Sequence, residues 1–179
     1  MIKIDFEDTY EPVEVAADLS FMTFYSETKD ESTVLLKVLI SPLQDSFLLN
    51  VSNLSFGPLL SSGEIDDTVK INHLNKNKMF STILLFSLAH LQSNPQITIG
   101  IDGSNNTRAY LYHRMFHTNR EYLDEYFITI GVDWYVKLLR NGDVERDEKG
   151  FPYFKPRPEP FDYERPSSSL YRYYMFHLK

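Results

Sequence analysis

Arg108 and Tyr112 stand four residues apart in the stretch GSNNTRAYLY (103–112). On a helix that spacing puts both side chains on one face. A guanidinium near a helix N-terminus can hold a phosphate or carboxylate through two parallel hydrogen bonds. A phenol one turn later can serve as a general acid. Gly103 and Ser104 precede the helix. Ser104 or Asn105 can cap it, Gly103 permits a positive φ in the turn, and the N–H groups and dipole of the first turn favour an anion. The same residues also read as a well-capped helix, with Arg108 paired to Asp102, Asp66 or Asp67 and with Tyr112 packed on a sheet.

Asp66 and Asp67 form a charged turn in GEIDD (63–67). Paired carboxylates can act as a base or bind a cation. They equally suit a solvated turn, or one that pairs with Arg108 or with a nearby helix N-terminus. His113 and His117 have the i, i+4 spacing of a metal-binding pair. No glutamate stands between them as HExxH requires, so HRMFH reads as a solvated or packed face and no metal is expected. There is no cysteine, which excludes disulfides, thiolate catalysis and Cys-ligated metals. No G-x-S-x-G elbow or Ser-His-Asp signature is present.

The elements that must position these residues can be read in order. LSFMTFYSE (19–27), TVLLKVLISPL (33–43) and DSFLLNVSNLSFG (45–57) read as three strands joined by short polar turns, an antiparallel meander. Residues 1–18 are acidic, and a strand or turn leading into the domain is expected. After an irregular connection over 58–77, a helix is predicted over 76–92. Its apolar residues cover more than one face, so it should be deeply buried. QITIGID (96–102) alternates as a strand, and a helix between strands 45–57 and 96–102 permits a parallel crossover. A second helix over 105–117 continues through 119–126, and FITIGVDWYVKLL (127–139) is another strand. Five of the nine prolines lie in 152–166, which predicts an extended or irregular segment. A final strand is expected within 168–179, with Tyr174 and Phe176 on one side and Tyr171, Tyr173 and Met175 on the other.

The fold class is therefore α+β: a mixed, mostly antiparallel sheet with two or more packed helices. Residues 1–140 form one core domain. Residues 141–179 add a hairpin, a Pro- and aromatic-rich arm and a last strand packed on the same domain. The 179 residues are 42% hydrophobic, enough for a core without staples. The net charge of −7 disfavours broad nucleic-acid binding, though a local basic patch is compatible with it. No signal peptide or membrane-spanning run is read, so the expectation is a soluble, cytoplasmic protein.

The spaced set NLSFG (53–57), GEIDD, NKNKMFSTI (75–83) and GSNNTRAYLY resembles an uncharacterised family of small bacterial proteins over roughly residues 20–140. The family shows a Gly-Ser-x-x-x-Arg-x-x-x-Tyr turn-helix. More remotely, the element order is similar to that of the acetyl-CoA-dependent (GNAT-like) acetyltransferases. That resemblance implies acetyl-CoA as cofactor, with phosphates near Asn75–Lys78 at the first helix N-terminus and Tyr112 as general acid. The stretch has Lys76 and Lys78 for charge but lacks the superfamily's glycines, and no Gly-Phe follows Leu111-Tyr112. Two functions follow as expectations. One is an acyl-transfer or degenerate CoA-binding protein of toxin or defence type. The other is a non-catalytic interaction module of a toxin–antitoxin or anti-phage assembly, which binds another protein or a second copy through its acidic surface and aromatic tail.

Overall fold

The computed structural model describes every residue except Asp67, Thr68, Lys70 and Ser104. Four strands, β1 (Pro12–Val15), β2 (Phe21–Glu27), β3 (Thr33–Pro42) and β4 (Val51–Pro58), form the antiparallel meander. Helix α1 (Lys76–Ser93) then returns the chain as β5 (Thr98–Asp102), parallel to β4. Helices α2 (Asn106–Thr118) and α3 (Arg120–Leu123) lead to β6 (Phe127–Val136). The tail supplies β7 (Phe154–Pro160), a 3₁₀ turn (Ser167–Ser169) and β8 (Tyr173–Leu178). All eight strands lie in one sheet of order β1-β2-β3-β4-β5-β8-β6-β7, so the last strand is inserted between β5 and β6. An α+β architecture with a mostly antiparallel open sheet is thus observed.

The burial of α1 follows from its sequence. Met79, Phe80, Ile83, Leu84, Phe86, Leu88 and Leu91 are all buried. Two hydroxyls on the helix are satisfied within it: Thr82 donates to the Lys78 carbonyl at 2.7 Å and Ser87 to that of Ile83 at 2.9 Å. Asn75 caps the helix by accepting from the Lys78 N–H at 3.0 Å. The main core fills the space between the helices and one sheet face. Met22, Phe24, Leu36, Val38, Ile40, Ile99, Tyr174 and Phe176 contribute to it from the strands. A smaller cluster of Leu48, Val51, Val132, Tyr173 and Met175 occupies the opposite face.

Several expectations are corrected. The third strand starts at Val51, not at 45, because Asp45 accepts from the Phe47 N–H at 2.7 Å and that of Leu48 at 3.2 Å. This Asx-type turn diverts residues 45–48 from the ladder. Tyr171 does not share a side with Tyr173. It precedes β8 and packs with Tyr174 in the helix-side core.

The proline-rich segment is extended, and residues 154–160 form a strand. β7 pairs with β6 through Ile130↔Pro160, Val132↔Pro158 and Trp134↔Pro156. Phe161 N donates to the Thr129 carbonyl, so residues one register away from the prolines bond inward. The three prolines stand where an N–H would point away from the sheet, which is how an edge strand accommodates them. Much of the aromatic tail packs into the protein, while Phe151 and Phe154 stay exposed. Tyr171, Tyr174 and Phe176 are fully buried, and Phe161 and Tyr173 nearly so.

Residues 2–10 lie against α1 and α3, an arrangement the sequence does not announce. Asn119 Oδ1 accepts from the Ile4 N–H at 2.7 Å, and its amide donates to the carbonyls of Ile2 and Met115. The Tyr122 and Thr82 hydroxyls accept from the N–H groups of Phe6 and Tyr10. No described helix is long and apolar enough to cross a membrane.

Candidate functional site

The parallel pair β4 and β5 is hydrogen bonded only from Val51↔Thr98 to Leu54↔Ile101. β4 then runs on through Ser55–Pro58 without β5 beside it. Past this fork, the Asp66 N–H donates to the Pro58 carbonyl at 2.9 Å. A Cβ on Gly57 would lie 2.6 Å from the Asp66 carbonyl oxygen, so glycine is what lets that turn close on β4. α1 begins after the connection that leaves β4, and α2 begins directly after β5. The carboxyl ends of the parallel strands are where open sheets bind ligands.

At the start of α2, Asn105 is the cap, and its Oδ1 accepts from the Arg108 N–H at 2.9 Å. Gly103 does not adopt a positive φ. It is closely packed instead: a Cβ there would meet the Tyr174 ring at 3.0 Å and the Ala109 Cα at 3.2 Å, and those neighbours would have to give by a few tenths of an ångström. Its N–H donates to the Arg172 carbonyl at 2.9 Å, which ties the turn to the chain entering β8. Tyr112 is 5% exposed and stands edge-on to Tyr174 at 6.1 Å between ring centroids. Burial pushes its phenol up to about 12, with Arg108 opposing the rise and Asp102 adding to it. Asp102, Arg108 and Tyr112 are thus brought together electrostatically. Ser104 and Asp67 lie outside the described residues.

Asn75 and Lys78 serve other partners. Asn75 caps its own helix. Lys78 is turned toward the N-terminal segment, 3.4 Å from an Asp8 carboxylate oxygen and 5.1 Å above the Tyr10 ring. Asp66 Oδ1 accepts from the Val69 N–H at 3.3 Å, as a turn carboxylate does.

The sequence reading missed Tyr173. Its ring lies on Gly100, where a Cβ would fall 2.2 Å from the hydroxyl, and that hydroxyl donates to Asn53 Oδ1 at 3.1 Å. Burial, then Asp102 and Asp45, raise its pKa. The alternation Thr98-x-Gly100-x-Asp102 held the signal: a glycine in mid-strand marks a close approach by a neighbour. His113 and His117 stack at 6.4 Å, and no metal-ligating cluster is found among the described residues.

The sequence model of a family of unknown function, DUF6934, matches residues 7–149. The chain belongs to DUF6934. No curated protein and no solved structure matches it. The DUF6934 match spans β1 to β6, the fork and the α2 turn, and stops before β7 and β8. Yet β8 carries Tyr173 and Tyr174, which touch Gly100 and Gly103 inside the matched region. In this DUF6934 chain the site therefore depends on residues outside the family match.

Proposed function

We propose that this protein binds an acyl-CoA-type thioester at the fork between β4 and β5, as an acyl-transfer protein or a degenerate relative of one. The observation that carries this reading is the parting of β4 from β5 after Leu54 and Ile101, in a sheet whose last strand sits between β5 and β6. β3 pairs with one edge of Ser55–Gly57, and an N–H on the other edge, the one β5 has left, can polarise the thioester carbonyl. The acceptor nucleophile adds to the carbonyl carbon, the C–S bond breaks, and the departing thiolate takes the Tyr112 proton. The phenol carries its proton at neutral pH, and the proton that the acceptor gives up returns to the tyrosinate after the thiolate leaves. The CoA phosphates are assigned to the first turn of α1 at Asn75 and Lys76, with Arg108 on the acceptor side. Lys78 would join them only by leaving Asp8.

The test is the melting midpoint of the full chain with and without acetyl-CoA. A ligand at 100 times its Kd adds about 2.7 kcal/mol. The expected result is a clear upward shift that Arg108→Ala diminishes and Tyr112→Phe retains, with transfer activity lost in Tyr112→Phe. An unchanged midpoint at millimolar acetyl-CoA refutes the reading.

A second reading, a protein-interaction module, draws on the β6–β7 hairpin. Leu138 is 73% exposed, Phe151 66% and Phe154 56%. A partner recovered by the native chain and lost on Leu138→Asp with Phe151→Asp favours this alternative.

A further inference from the structure

The outer face of α2 lines a cleft. Tyr110, Arg114 and His117 recur at helical spacing and form one stripe. Together with the chain over 163–170 they bound a cleft of about 350 Å³. This volume is in the range of small-ligand sites, roughly 300–1,000 Å³. Across from the stripe stand Tyr163, Glu164 and Arg165.

The charges in this cleft are not equivalent. Arg165 is committed: its Nη2 lies 2.7 Å from Asp133 and its Nη1 3.2 Å from Glu159. Arg114 makes no ion pair among the described residues, and its guanidinium lies 6.0 Å from the Tyr110 ring centroid. His117 is exposed, one turn along the same face, and likewise has no ion pair among the described residues. On a chain of net charge −7, the Arg114 guanidinium is a cation with no carboxylate partner among the described residues. The wall behind them is His113, 5% exposed, packed on Phe161 at 5.2 Å, with Nδ1 lacking a hydrogen-bond partner among the described residues. Tyr110 is 51% exposed, with Arg114 over one face of its ring.

We propose that this cleft binds a nucleoside monophosphate. Arg114 offers a planar fork to the phosphate, and His117 adds a second donor. The Tyr110 ring offers a surface to the base, as aromatic side chains do for every base. The Glu164 carboxylate accepts from the ribose hydroxyls. The cleft shares helix α2 with the β4–β5 fork but uses none of the residues assigned to it.

Binding of AMP to the full chain by calorimetry is the test, with inorganic phosphate and adenosine as separate titrants. AMP should bind more tightly than either fragment. Arg114→Ala should weaken it about tenfold or more, Arg114→Lys should recover only part, and Tyr110→Ala should weaken AMP and adenosine but not phosphate. Arg114→Ala should leave the acetyl-CoA response intact, which separates this site from the fork. Absence of AMP, GMP, CMP and UMP binding at millimolar concentration overturns the proposal. AMP affinity unchanged in Arg114→Ala overturns it too, and so does binding of a single-stranded oligonucleotide without the mononucleotides.

Discussion

The Tyr173 hydroxyl donates to Asn53 Oδ1 at 3.1 Å across the face of Gly100. Three strands, β4, β5 and β8, meet in this one contact, on the sheet face opposite the helices. Gly100→Ala would put a methyl group 2.2–2.3 Å from the ring of Tyr173. The ring is buried and cannot swing aside, so the variant should lose about 1–3 kcal/mol. Adding Tyr173→Leu should recover part of that loss in urea unfolding. Additive losses in the double variant would show that the ring is not the obstacle.

Arg165 fastens the tail to the core. Its guanidinium lies 4.0 Å from the Tyr171 ring centroid and pairs with both Asp133 and Glu159. Glu159 Oε1 also accepts from the Tyr171 hydroxyl at 2.8 Å. Arg165→Met should cost about 1–2 kcal/mol, since two partly buried carboxylates lose their nearer cation and keep only the more exposed Arg157, 3.8 Å from Asp133 and 3.5 Å from Glu159. Arg165→Lys should recover little, because an ammonium cannot span both carboxylates and stack on the ring. Chemical denaturation of both variants checks this.

Alkaline pH should unfold the protein through its buried phenols. The folded pKa of Tyr112 is raised above the unfolded value near 10, so its contribution is complete below pH 10 and is lost as pH rises toward about 12. Tyr173 and Tyr174 shift in the same direction, also through burial. Unfolding free energy should fall steeply above pH 10, and less steeply in Tyr112→Phe. Equal slopes for the two proteins would contradict the assignment.

Asn119 holds residues 2–4 from inside the protein. Asn119→Ala leaves the Ile4 N–H and the Ile2 carbonyl without partners and should cost about 2–3 kcal/mol. Hydrogen exchange should quicken over residues 2–10 while α1 stays protected. Uniform acceleration over both segments would mean that they open as one unit.

The meander, both long helices and the parallel return into β5 were legible because each has a strong local period. Met79 to Leu91 can only be a buried helix, and Ile97-x-Ile99-x-Ile101 can only alternate. The site was less legible because its parts come from distant segments. Asn53, Gly100 and Tyr173 span 120 residues, and nothing local marks Tyr173 as the ring that needs Gly100 bare. Gly103 shows the opposite failure. A glycine before a helix suggests a positive φ, whereas here φ is not positive and the glycine packs tightly against Tyr174. Lys78 was read as a cation for a ligand because Asp8, seventy residues earlier, shows no sign in sequence of folding back onto it.

Pro156, Pro158 and Pro160 give the sheet a terminus that cannot be copied. A neighbouring chain that tried to dock as a ninth strand would find carbonyls along this rim and, beyond Phe154, three prolines with no N–H to offer. Templated growth of the kind that builds fibrils is therefore blocked at the β7 side, even though Trp134, Phe151 and Phe154 are exposed close by. The protein can display sticky side chains there without inviting the backbone of another molecule, so contacts at this end stay reversible and side-chain selective.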